Sequence, residues 1–165
     1  MKRDLLMDFS VDKENKAISV KREFAAALPL VWEAYTKSEI LDQWWAPKPW
    51  RARTKAMDFR EGGYWLYAMV GPGGEEHWAR ADYLKIDPHK SFSARDGFAD
   101  EEGNLNRQMP QSRWDVAFSS AAVGTLVTNR ITFGDLQHLE QTLAMGFKEG
   151  FVAALENLDG WLSRR

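Results

Sequence analysis

The chain has 165 residues, 44% apolar and 28% charged, with 21 aromatic residues (9 Phe, 8 Trp, 4 Tyr), an ordinary budget for one soluble domain apart from the aromatics. Area scaling gives roughly 27,000 Å² extended and roughly 8,000 Å² folded, so about 70% of the surface can be buried in a real core. With 22 basic and 24 acidic residues the net charge is −2, which provides no field for sequence-independent nucleic-acid binding. Cysteine is absent, which excludes disulfides, thiolate metal sites and cysteine nucleophiles and fits a reducing, cytoplasmic setting.

The N-terminal run MKRDLLMDFSVDKENK has no apolar h-region, so a secretory leader is not expected. The longest uncharged stretch, 116–129, is full of Ser, Gly and Thr; it is too short and too polar for a bilayer span. Residues 1–165 are therefore read as one domain, with 1–15 as an N-terminal extension in which Phe9 and Val11 form a short extra strand.

The run AISVKREF, Ala17 to Phe24, alternates as a strand should. Pro29 opens a helix, where its missing N–H costs nothing. Ser38 is the expected N-cap of a second short helix, Glu39 to Trp45, which Pro47 and Pro49 stop. The period then switches to two. Strands are expected over Thr54–Arg60, Tyr64–Val70, Glu76–Ile86, Lys90–Arg95, Ser112–Ser119 and Thr125–Phe133, separated by Gly- and Pro-bearing turns. Short connections of this kind build an antiparallel meander. From Leu136 to Ser163 one apolar stripe predicts a single helix roughly 40 Å long, capped by Asp135 and carrying Gly146 and Gly150 on the stripe's edge. A sheet and one amphipathic helix bury both apolar faces only by wrapping around each other.

These residues resemble a known family. VKREFAAALPLVWEAYTKSEILDQWWAPKPW, DFREGG, the F-x-D-x-x-G stretch at Phe98 to Gly103 and MGFKEGF are similar to the family named after the activator of the ninety-kilodalton heat-shock-protein ATPase, within the START-like superfamily. The resemblance covers residues 16 to 163. It implies an α+β helix-grip fold: an antiparallel sheet of about seven strands around a long C-terminal helix, with two short helices closing one end. It also implies a cavity for apolar ligands, which some members use for cyclisation or hydrolysis. The eukaryotic namesake binds a chaperone and contains an additional N-terminal domain, for which this chain has no room.

No metal-ligand spacing links His77, His89 and His138, and no nucleophile motif occurs. His89 and His138 read as surface residues. Asp58 and Arg60 read as a structural hairpin ion pair, and Asp100, Glu101 and Glu102 as a solvated loop or a lid. Trp65, Tyr67 and Met69 share one strand face; Trp114 and Phe118 share another; Phe147 and Phe151 lie on the helix stripe. With His77 and Asn129 added, and with Tyr67, His77 and Asn129 as the polar handles, they make the nine residues of the expected ligand site. The leading expectation is a non-catalytic binder of a small apolar or amphipathic molecule, with no cofactor and no metal. A module regulating a chaperone-type ATPase and a cavity cyclase or hydrolase stay open as alternatives, as do a protein partner and a homodimer.

Overall fold

Alternating apolar and polar residues give eight segments one buried face each, and those faces join in a single antiparallel sheet. The computed structural model describes residues 5–165. Its strands are β1 (Met7–Asp12), β2 (Ala17–Phe24), β3 (Arg51–Met57), β4 (Tyr64–Val70), β5 (Glu76–Asp87), β6 (Ser91–Ala99), β7 (Gln111–Ala121) and β8 (Gly124–Phe133). They lie in the order β1-β2-β8-β7-β6-β5-β4-β3. Helices α1 (Leu28–Thr36) and α2 (Ser38–Trp44) join β2 to β3, and α3 (Leu136–Ala144) and α4 (Phe147–Leu162) follow β8. This is the α+β helix-grip arrangement, with an eighth strand. That strand is β1, which places Phe9 opposite Val20 and Val11 opposite Ile18.

Ile18, Val20 and Phe24 of β2, Val127 and Ile131 of β8, and Val116 and Phe118 of β7 are buried on one sheet face. Val31, Trp32 and Tyr35 of α1 and Phe151, Leu155, Leu158 and Trp161 of α4 join them in one cluster. Each large apolar side chain buried there contributes about 1.5–3 kcal/mol. Among the described residues, no helix is long and apolar enough to cross a membrane.

Four local expectations change. Lys37, not Ser38, is the N-cap of α2: its carbonyl accepts from the N–H groups of Ile40 and Leu41, while its own N–H closes α1 on Glu33. With one residue serving both helices, the Ser38 hydroxyl turns to Glu39 instead. Strand β3 starts and ends three residues earlier than expected. The Asp42 carboxylate holds Thr54 through both its hydroxyl (2.6 Å) and its N–H (3.0 Å), and Asp58 already belongs to the turn.

Strand β6 runs on past Arg95 to Ala99, pairing Asp96 with Ser112 on one side and with Ala81 on the other. Finally, the C-terminal helix is broken. Gly146 sits in the left-handed region at φ 87°, its N–H donating to Leu143 and its carbonyl accepting from Gly150. It ends α3 and starts α4, whose 16 residues span about 24 Å. The Asp135 cap is present: its carboxylate accepts from the His138 N–H at 2.8 Å.

Candidate functional site

Small residues on β5 open the site. Cross-strand rows run Tyr67–Ala79–Phe98 and Trp65–Ala81–Asp96 across β4, β5 and β6. A methyl group between two larger side chains leaves space above it that neither neighbour fills. The turn between α3 and α4 roofs that space with Gly146, Phe147, Gly150 and Phe151, and a β-carbon built on Gly150 would meet only Pro47, at 3.7 Å. The resulting cavity measures about 310 Å³, at the lower end of the range for small-molecule pockets.

Its wall is aromatic. Trp45, Tyr67, Phe98, Trp114, Phe133, Phe147 and Phe151 all line it. The Trp114 ring stands edge-on to Phe151 at 5.4 Å and to Phe147 at 6.0 Å, while Phe147 and Phe151 stack at 5.4 Å. Such geometries hold the rings rigidly and add to the area they bury. Polar groups are few. The Tyr67 hydroxyl accepts from Trp45 Nε1 at 2.9 Å, which leaves its own proton for an acceptor in the cavity. Ser112 Oγ accepts from Trp114 Nε1 at 3.2 Å.

Beneath this space lies an inner chamber of about 40 Å³, which shares Trp45, Asp96 and Trp114 with the larger cavity. Two buried polar atoms on its wall, the Tyr35 hydroxyl and Asn129 Oδ1, lack a protein hydrogen-bond partner. An unpaired buried polar atom costs about 1–3 kcal/mol, so both are suited to a hydrogen-bonding guest. Burial also raises the Tyr35 and Tyr67 pKa values far above the ordinary tyrosine range, which keeps both phenols neutral.

Of the nine expected site residues, Tyr67, Met69, His77, Trp114, Phe147 and Phe151 lie on the larger cavity. Trp65 and Asn129 lie on the inner chamber. Phe118 lines neither. It shares a strand face with Trp114 but packs edge-on against Trp32 (5.1 Å) and Tyr35 (5.2 Å), because α1 covers that end of β7. His77 is exposed at the rim, 5.3 Å from the Trp50 ring. Asp100 caps its own loop through Asn104, and Glu101 and Gly103 accept from Lys55 and Arg80; none of the three acidic residues lines the cavity. The Asp58–Arg60 pair forms at 2.6 Å on the surface.

Asp96 is the site residue that the strand pattern misses. It borders both spaces, on the same cross-strand row as Trp65 and Ala81. Burial, and secondarily the Asp82 carboxylate, push its pKa up to about 7. Asp82 is itself held by Arg80 at 2.9 Å, so its charge is already matched. Among the described residues no group of three His, Cys, Asp or Glu side chains could hold a metal ion.

The sequence matches the family described as activator of Hsp90 ATPase homolog 1-like protein over residues 25–163. The chain belongs to that family. Every residue lining the cavity, from Trp45 to Phe151, falls inside the matched span, whereas β1 and β2 precede it. A crystal structure of a Mycobacterium smegmatis protein is similar at 32% identity, with a TM-score of 0.88, covering 96% of this chain and 97% of that one. A solution structure from Arthrobacter aurescens is similar at 28% identity and TM-score 0.90, over 96% and 92% of the two chains. A family member from Silicibacter pomeroyi, at 19% identity and TM-score 0.71 over 89% and 97%, shares the fold. No curated protein matches the sequence.

Proposed function

We propose that this member of the activator of Hsp90 ATPase homolog 1-like family binds one small apolar or amphipathic molecule in the cavity between the sheet and α4. The observation that carries this reading is the cavity itself: about 310 Å³ of space walled by seven aromatic side chains, with polar groups confined to a few positions. A wide apolar wall supplies affinity and isolated polar groups fix orientation. Helix-grip folds of this superfamily commonly hold hydrophobic ligands, which points the same way. Absence of cysteine suits a cytoplasmic setting.

Tryptophan emission tests the reading, because Trp45, Trp65 and Trp114 border the two spaces. Titration with small aromatic alcohols, arylalkyl amines, flavonoids and short-chain fatty acids should give a saturable emission change for at least one class. Trp114→Phe should remove part of that response, since its ring meets both Phe147 and Phe151. A flat response to every class would overturn the reading.

A further inference from the structure

The cavity contains one carboxyl group and no cation to match it. Neither the larger cavity nor the inner chamber has a lysine or arginine on its wall. Asp96 is half-buried on the cavity wall and makes no hydrogen bond or ion pair with another described residue; partial burial and the like charge of Asp82 both disfavour its charged form. An ionised carboxylate left in that state is costly. An anionic ligand would add a second negative charge beside it in a weakly screened space. An ammonium group would do the reverse, and the rings of Trp45, Tyr67 and Trp114 border the same space. Indole and phenol faces attract cations, with tryptophan the strongest of the side chains.

We propose that the cavity selects a small apolar amine, with its ammonium group paired to Asp96 and its apolar body against the aromatic wall. The proposal rests on the reading that the cavity is a ligand site, and it names the chemical class that site prefers.

The groups facing Asp96 determine what pH does to this selection. Sharing the two spaces with it are Tyr67 from β4, Tyr83 from β5, Ser112 and Trp114 from β7, Tyr35 from α1 and Asn129 from β8, and the charge that acts on it is that of Asp82 on β5. The α3–α4 turn and α4 contribute only Phe147, Phe151 and the other uncharged residues of the roof. Burial raises the pKa of all three tyrosines, so they do not titrate near neutrality. His77, at the rim, is the other titratable side chain of the lining. With a pKa of about 7, Asp96 is about one-tenth ionised at pH 6 and about nine-tenths at pH 8. A simple alkylamine stays protonated across that range. Its apparent affinity follows the ionised fraction, so binding tightens about tenfold from pH 6 to pH 8.

Three probes of one shape test this by calorimetry: 4-phenylbutylamine, 4-phenylbutan-1-ol and 4-phenylbutanoate. At pH 8 the amine should bind at least about tenfold more tightly than the alcohol, and the carboxylate most weakly. At pH 6 most of the amine's advantage should disappear, in the parent and in His77→Gln alike. Asp96→Asn should remove the advantage at both pH values. An amine that binds no better than the alcohol at pH 8, or an advantage that survives Asp96→Asn, would overturn the proposal. Should that variant not fold, the order of amine, alcohol and carboxylate affinities in the parent at pH 8 decides by itself. Alcohol binding without amine preference sinks only the charge assignment, whereas no binding by any probe sinks the ligand-site reading as well.

Discussion

Asp96 places a carboxyl group where the native fold prefers the neutral acid. Its native pKa of about 7 lies above the ordinary 3.8 because burial disfavours the charge. The unfolded chain loses this proton near pH 4 and the native state keeps it to about pH 7, so folding takes up a proton in between. Stability contributed at this position is therefore greatest below about pH 4 and falls as pH rises to about 7. Asp96→Asn removes that dependence. Urea unfolding of both proteins should show a stability advantage for the variant that is small at pH 4, grows to pH 7 and then levels off. A gap independent of pH would contradict the raised pKa of Asp96. Asp96 was hidden in the sequence because the expected strand Lys90–Arg95 stopped one residue short of it, whereas β6 runs to Ala99. The signal was the continued alternation Phe92, Ala94, Asp96, Phe98. Asn129 was legible because Val127 and Ile131 flank it at the same parity.

Breaking the C-terminal helix at Gly146 is what turns Phe147 and Phe151 over the cavity. Gly146 and Gly150 lie one turn apart in sequence and do opposite things in the fold. Gly146 needs a positive φ, so Gly146→Ala should cost about 1–2 kcal/mol. Gly150 is helical, with only Pro47 near a new methyl group at 3.7 Å, so Gly150→Ala should stabilise by up to about 1 kcal/mol. Chemical denaturation of the two variants checks the sign of each; one continuous helix would make both stabilising. The break escapes a reading by periodicity because the apolar stripe keeps its phase through Met145 and Gly146, and hydropathy carries no record of φ. Element order and strand faces were legible, since a period of two survives one-residue errors in strand ends. Where strands stopped was less so, as at β3, which begins at Arg51 and is held in mid-strand by a tertiary contact from Asp42 to Thr54.

Over the whole molecule, the helices cover the sheet unevenly. At one end α1 packs Trp32 and Tyr35 onto Phe118, which fills that end with core. At the other, Ala79, Ala81 and Gly150 leave the space between the sheet and α4 open. The same set of aromatic side chains thus serves as core at one end and as cavity wall at the other, and strand parity cannot separate the two roles. That is why Phe118 and Trp114 read alike in sequence. The most direct measurement is native mass spectrometry of the protein purified from its own host, beside Gly150→Leu, whose larger side chain occupies part of the cavity. A ligand-holding cavity predicts a small-molecule adduct on the parent that is reduced or lost in Gly150→Leu while the fold persists. A parent without any adduct, or an adduct undiminished in the variant, would contradict it.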